Sequence, residues 1–533
     1  MAVARGARFR RLLAVALVAV AGCTGGGGDA PGTAGGSGGG GAAAQGRRGG
    51  TLAIALLDPG PLDPASADGL QDEVVLGNLF DGLTAVDPSG AVRPSVAASW
   101  TSDPGLRRWE FHLRPEARWS DGAPVRAGDF TFAWQRLADP GTRPAPAPAA
   151  RALLAGVAGY RSFAAGKARS IAGLQAPDPA TLVVRLEQPF ADLPALVAAV
   201  ALSPLPAARV RPDPAAYLAR PVGNGPFRLA GRARPGHSLI LDRNPAYWAA
   251  PALLDRVTVQ VVPDQQTAWL ELQNGQVSFA PVPPDQLAAA RTLHGPSADN
   301  RTRPGLLQGP TLTTWQLTFN LRSNPATNPR WRQAVSLAVN RDHLAAALAG
   351  SPATTLVPPG TPGFAAAAPG AGPACPACAY DPAKARSLFA TAKAGPGPII
   401  LAAPAGALAG RIATLVAADL AAAGAKVARS PAPDGSSQLT LIRRVAPYPR
   451  PDPFLGVATA DPAAQRLLTE ARATPDDPTR ATRYAQAEAA VLAGLAATPL
   501  VIEHQAAVLT PAPQGVNLTP WNTLDLSVVS LPA

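Results

Sequence analysis

The stretch Ile399-Ile400-Leu401, then Leu408–Ala423, then Gly424 and Ala425-Lys426-Val427-Ala428 decides the fold class. It reads as strand, helix, turn and strand, and a parallel βαβ unit is the default for that order. Working outward, Thr51–Leu57 is a short apolar strand that runs into a turn rich in Pro, Gly and Asp. Trp109–Leu113 and Thr181–Leu186 read as further strands, the second with period-two alternation. Helices begin where a capping residue precedes an apolar face. Asp129 is placed to cap a helix carrying Phe130, Ala133, Trp134 and Leu137. Asn328-Pro329 opens another, with Ala334, Val335, Ala338 and Val339 inside it and Gly350 as its stop. Asp381-Pro382 opens a third in the same way, containing Leu388 and Phe389 and ending at Gly395. The class is mixed α/β. The chain has 533 residues, and a single hydrophobic core stops growing near roughly 250–300, so at least two lobes are expected.

Composition excludes several classes. There is no Gly-X-Y period, Pro is scattered through every segment, and only one long apolar run occurs, which rules out collagen, coiled coil and polytopic membrane protein. Net charge is +11, but all except four of the 47 basic residues are arginine. An Ala/Pro/Gly/Arg excess almost without Lys is what a GC-rich genome writes, so no nucleic-acid partner is expected.

The one long apolar run, Leu12–Ala21, follows Arg5, Arg8, Arg10 and Arg11. It is too short for a permanent span of about 20 residues and reads as the core of a signal peptide over residues 1–22. Val20-Ala21-Gly22-Cys23 resembles the lipobox of bacterial lipoproteins, which implies a lipid on Cys23 and attachment to the outer face of the cell membrane. Residues 24–50 hold 14 glycines and almost no large apolar group. Such a segment acts as a flexible tether with an r.m.s. reach of roughly 30 Å.

Four blocks of the remaining chain resemble the extracellular solute-binding proteins of family 5, the oligopeptide-, dipeptide- and nickel-binding proteins of ABC importers. The first comprises Leu62-Asp63-Pro64, Asn78-Leu79-Phe80-Asp81-Gly82-Leu83, Pro94–Trp100, Trp109–Arg114 and Trp119–Val125. The second is Pro221-Val222-Gly223-Asn224-Gly225-Pro226-Phe227-Arg228-Leu229 with Arg243–Trp248. The third is Phe319-Asn320-Leu321, Arg332–Val335 and Ala338–Arg341, and the fourth Val357–Phe364 with Tyr380–Ala385. From the residues themselves, Gly223 and Gly225 allow a turn with positive φ between strands. Trp100, Trp109 and Trp119 are large apolar anchors of one subdomain's core.

The resemblance implies a two-lobed periplasmic-binding-protein fold of type II that closes by a hinge on its ligand. Lobe I is expected from residues 51–92, 205–310 and 499–533, an extra N-terminal subdomain from 93–204, and lobe II from 311–498. The implied partners are a peptide or other small polar solute, the importer's permease and ATPase subunits, and a membrane reached through the lipid. A monomer is expected.

In oligopeptide-binding members an Asp in a motif resembling Asp-Tyr-x-x-Pro pairs with the peptide's α-ammonium, because an unpaired charge in a closed cleft is costly. The matching stretch here is Ala446–Phe454, and Pro447 stands at the position of that Asp. Asp452 is either a replacement or a second, structural Asp-Pro. Tyr448, Arg450 and Trp315 are the other candidate ligand-binding residues.

Cys375-Pro376-Ala377-Cys378 holds the only two thiols besides Cys23. A lone C-x-x-C cannot complete a tetrahedral zinc site, and the five histidines are scattered. The pair is a structural disulfide or a redox-active site ahead of the helix at Asp381. No metal or cofactor is expected. A hydrolase lacks any nucleophile–base–orienter set, and Gly35-Gly36-Ser37-Gly38-Gly39 lacks the strand–turn–helix context of a nucleophile elbow. The function expected is a non-enzymatic, lipid-anchored solute receptor. The alternative is an envelope lipoprotein of the same fold that has lost transport and acts as a regulator or scaffold in cell-wall assembly.

Overall fold

The computed structural model describes residues 48–533 except 68, 296–304, 365–374, 393–396, 432–434, 457–460, 511–514, 517, 522–523 and 532–533. The signal peptide, Cys23, almost all of the tether and the Gly395 helix stop lie outside the described residues.

Among the described residues, eleven strands form one large sheet. From one edge its order is Val427–Ser430, Ile399–Ala402, Leu439–Val445, Leu306–Phe319, Ala497–Leu509, Phe279–Pro281, Thr51–Leu57, Arg256–Val262, Leu239–Arg243 and Phe227–Leu229, with Ser351–Pro352 added on Ala497–Leu509. The βαβ expectation holds: Ile399–Ala402 and Val427–Ser430 pair in parallel around the helix Ala407–Ala422. Thr51–Leu57 is also parallel to its neighbour, Arg256–Val262.

Two long antiparallel strands, Leu306–Phe319 and Ala497–Leu509, run through the middle of this sheet. Their register shifts between Pro310 and Thr314 and again between Trp315 and Gln316, and such irregularities bend and twist a strand pair. The two ends serve different cores. Leu306 and Val508 pack with Trp269 and Leu272. Trp315, Leu317 and Val501 pack with Trp331, Leu401, Val416 and Leu441. The largest core gathers Leu52, Val74, Phe111, Trp119, Trp134, Phe227 and Val259.

A separate four-stranded antiparallel sheet, ordered Ala97–Ser102, Arg108–Leu113, Thr181–Arg185 and Leu174–Asp178, joins that largest core. Trp109 and Trp119 are buried there, and Trp100 is half-buried with its ring 6.4 Å from Phe111. Against this sheet packs the helix Ala127–Ala138, which buries Phe130, Ala133, Trp134 and Leu137.

Local details correct three expectations. Asp129 is not the cap of its helix but the third residue in it, where its Oδ2 accepts from the Arg126 backbone N–H at 2.9 Å. The helix opened by Asn328 stops at Ala338, and a second, Arg341–Leu348, starts because Asn340 is itself a cap whose Oδ1 accepts from His343 N–H at 3.1 Å. Gly223 and Gly225 have no positive φ. They are required by close approach: a Cβ on Gly223 would meet the Leu79 carbonyl oxygen at 2.0 Å, and one on Gly225 the Leu79 carbonyl carbon at 2.7 Å. Between them the buried Asn224 exchanges two 3.0 Å hydrogen bonds with the backbone of Asp81. The turn is thus a seam that fastens two distant segments.

Candidate functional site

The candidate site begins where the strand Leu439–Val445 ends. Its register against Leu306–Phe319 sets Arg443 opposite Trp315 and Arg444 opposite Thr314. The chain then enters a run with Pro447, Pro449, Pro451 and Pro453, which lack backbone N–H donors and cannot extend a sheet ladder. Pro447, Tyr448, Asp452 and Pro453 therefore form a wall rather than an edge strand. With Arg443, Arg444, Val445 and Arg472 they line one side of a cleft of about 1110 Å³. The opposite side comes from the four-stranded-sheet region, including Leu153, Gly156, Glu187, Phe190 and Leu193.

Tyr448 crosses to that opposite side. It packs within the largest core, with its ring edge-on to Phe190 at 6.5 Å. Burial, and then the charge of Asp452, raise the Tyr448 hydroxyl well above its ordinary range, so it remains a donor, and it gives a 3.3 Å bond to Asp452 Oδ2. Asp452 is also held by Arg472, Nε at 2.6 Å from Oδ1 and Nη2 at 3.2 Å from Oδ2. Its charge is matched before any ligand arrives.

The other two sequence candidates stand off the cleft. Trp315 is buried in the sheet, and its Nε1 donates to Glu503 Oε1 at 2.7 Å. Glu503 in turn accepts both arms of Arg443, at 2.7 and 2.8 Å, so Trp315 reaches the cleft wall only through that pair. Arg450 turns away toward Asp192, its Nε 3.4 Å from Oδ1, and donates to the carbonyl of Gly90 at 3.2 Å. Asp192 is buried and also meets Arg480 at 3.2 Å and the Tyr484 hydroxyl at 2.8 Å.

Sequence reasoning missed Asp192, Arg444 and Arg472. Asp192 precedes Leu193-Pro194 and reads as an ordinary helix cap. Arg444 lies mid-strand, yet it lines the cleft, burial holds its guanidinium below the usual range, and its Nε has no partner among the described residues. The cleft thus carries an excess of guanidinium groups, two already matched by Glu503 and Asp452.

Cys375 and Cys378 form a disulfide remote from the cleft. The carbonyl of Cys378 accepts from Arg341 Nη1 at 2.9 Å. Arg341 is buried with no carboxylate partner among the described residues, bonded also to Ser336, Thr498 and the Pro499 carbonyl, and burial lowers it to about 10. Among the described residues no group of three or more His, Cys, Asp or Glu could hold a metal ion.

Comparison with known proteins fits this architecture. The profile of the bacterial extracellular solute-binding proteins, family 5, middle region, matches residues 91–484. The probable deoxycholate-binding periplasmic protein YgiS of Escherichia coli (strain K12) is 33% identical over 317 residues, 58% of this chain and 57% of that protein. The periplasmic murein peptide-binding protein MppA of the same strain is 31% identical over 316 residues, 58% of this chain and 56% of its own. The chain therefore spans little more than half the length of these relatives. Among solved structures, the unliganded open form of the murein tripeptide-binding protein MppA superposes with a TM-score of 0.73 at 25% identity, covering 92% of this chain and 98% of that one. OppA of Haemophilus influenzae in complex with the peptide RPPGFSPFR gives 0.70 at 22% identity, covering 92% and 100%, a likeness of fold. The fold is the two-lobed periplasmic-binding architecture, and the four sequence blocks carry the family they resemble: this chain belongs to the bacterial extracellular solute-binding proteins, family 5.

Proposed function

We propose that this protein is the lipid-anchored substrate-binding component of an ABC importer. It captures a peptide or similarly small polar solute between its lobes and delivers it to a membrane permease. The observation that carries this reading is the cleft of about 1110 Å³ between the 149–196 region and the 443–472 region, large enough for a short peptide and bordered by charged side chains. The relatives named for murein peptides and oligopeptides support a peptide-type ligand. Lobe II over 311–498, lobe I over 51–92, 205–310 and 499–533, and the subdomain 93–204 give a division in which the strands Leu306–Phe319 and Ala497–Leu509 are the hinge. A ligand closes such a hinge only by binding the closed form better than the open one. Arg444 is the group best placed to meet a ligand carboxylate, since it lines the cleft and its Nε lacks a partner among the described residues.

Native mass spectrometry of the purified protein, followed by a panel of di- to tetrapeptides read by melting temperature, tests this. A co-purifying solute, or a saturable stabilisation by one peptide class, is expected; an empty protein indifferent to the whole panel would overturn the reading. The anchor has its own test. Cys23→Ser should move the protein from the membrane fraction to the soluble one, and unchanged fractionation would refute the lipid.

A further inference from the structure

Pro447 brings no carboxylate to its wall of the cleft, Asp452 is already matched by Arg472, and Glu187 on the other side accepts from the Gly159 backbone N–H at 3.0 Å. Another carboxylate stands nearby. Behind Pro447 lies a chamber of about 60 Å³ that shares Ala149, Leu153, Val445 and Pro447 with the large cleft as common walls. Glu73, from the first turn of the helix Leu70–Leu79, borders this chamber and is the only charged residue among the described ones that does. Its side chain is half-buried, and no hydrogen bond or ion pair to its carboxylate is found among the described residues. The lining also includes Trp521, whose ring is a face for a cation.

Resting on the peptide-receptor reading above, we propose that Glu73 is this protein's cation-recognition residue: it receives a primary ammonium head in the small chamber while the rest of the solute lies in the large cleft. Size and chemistry agree. A water occupies about 30 Å³, so the chamber holds an ammonium group and little more. A divalent metal would need several oxygen ligands, and among the described residues the chamber offers one carboxylate. Burial, and then the neighbouring charge of Asp72, push Glu73 up to about 8. At neutral pH it therefore rests as the neutral acid, which removes the cost of an unpaired buried charge in the empty protein. When R–NH3⁺ enters, the carboxyl gives its proton to solvent and the ion pair forms. Recognition of the amine is thus coupled to release of one proton.

The test uses the full chain and its Glu73→Gln variant, which keeps the shape and neutrality of the resting acid and so should fold normally. Ala-Ala-Ala, N-acetyl-Ala-Ala-Ala and N-acetyl-Ala-Ala-Lys are titrated calorimetrically in phosphate and in Tris, and n-butylammonium is followed by tryptophan fluorescence. We expect the wild type to prefer free-amine Ala-Ala-Ala over the acetylated peptide by roughly 30-fold or more and to release close to one proton at pH 7. Glu73→Gln should abolish both the preference and the proton release. The acetylated lysine peptide separates a side-chain amine from an α-amine, and Glu73-dependent binding of either supports the proposal. Equal binding of free and acetylated peptides, or a Glu73→Gln variant that behaves as wild type, overturns it while leaving the peptide reading standing. No peptide bound, but a butylammonium response that Glu73→Gln removes, overturns the peptide reading and keeps the amine subsite. No response to any of these probes overturns both.

Discussion

The Tyr484 hydroxyl donates a 2.8 Å hydrogen bond to Oδ2 of Asp192, a residue 292 positions earlier in the chain. Arg480 and Arg450 approach the other oxygen of the same carboxylate at 3.2 and 3.4 Å. All four side chains are buried. One carboxylate from the segment after the four-stranded sheet therefore neutralises two guanidiniums supplied by the C-terminal part of the chain, and it does so beside the cleft. Such a node ties the two walls together. Removing its acid leaves Arg450 with no carboxylate among the described residues and Arg480 with only the exposed Asp477, so Asp192→Ala should lower unfolding free energy by about 3–5 kcal/mol. Tyr484→Phe, which removes a single donor, should lower it by about 1 kcal/mol. Urea denaturation measures both, and an Asp192→Ala effect below that of Tyr484→Phe would contradict the assignment.

Between about pH 5.5 and 8 stability should fall as pH rises. Burial pushes Glu73 up to about 8, Asp81 up to about 7 and Glu488 up to about 7. In the unfolded chain these groups titrate near their ordinary values of 4.5, 3.8 and 4.5. Across the interval between the unfolded and folded values the native state binds more protons, so this contribution is complete below the unfolded values and is lost as pH passes the folded ones. Melting temperature at about pH 5.5 should exceed that at about pH 8, and Glu73→Gln should reduce the difference. A melting temperature that rises over this window would show that other groups dominate.

The seam at residues 223–225 makes a sharp steric prediction. Gly223→Ala places a Cβ 2.0 Å from the Leu79 carbonyl oxygen, which only a backbone shift can relieve, and soluble yield should collapse. Gly77→Ala is the matched control on the facing helix. Nothing lies within 4 Å of an added Cβ there, and replacing an interior helical glycine should stabilise by about 0.5–1 kcal/mol. Thermal melts of the two variants should move in opposite directions.

Arg444 and Arg472 border the same cleft but should behave differently. Arg444→Ala removes a guanidinium whose Nε is unpartnered among the described residues, so it should weaken peptides with a free C-terminal carboxylate and spare their C-terminal amides. Arg472→Ala strands the Asp452 carboxylate and should lower stability as well as affinity. Affinity measured for acid and amide forms of one peptide, beside a melt of each variant, separates the two roles.

Strands and helices were legible where local chemistry sets them. Thr51–Leu57 and the 399–430 unit follow from apolar runs and a glycine stop, and the Asn328 and Asp381 caps follow from side-chain oxygens next to proline. The turn at Gly223 was misread because a glycine needed for close approach looks the same in sequence as one needed for positive φ. The cleft wall was half legible. Tyr448 and Asp452 sit in a proline-rich run that attracts notice, whereas Arg450 points from the same run into Asp192, a direction that no spacing reveals. Glu73 was invisible for a related reason. An acid in the first turn of a helix reads as a partner for the helix dipole, and only the fold shows that a chamber opens in front of it.

If the cleft between the two regions is the solute site, filling it should abolish binding. Gly156 lines the cleft and has nothing within 4 Å of an added Cβ, so Gly156→Trp should occupy the cavity without disturbing its walls. Calorimetric titration of the full-length wild type and of Gly156→Trp with the best-bound peptide of the panel should give one saturable site in the first and none in the second, at unchanged unfolding free energy. Undiminished one-to-one binding by Gly156→Trp would place the solute outside this cleft and refute its role as the solute site.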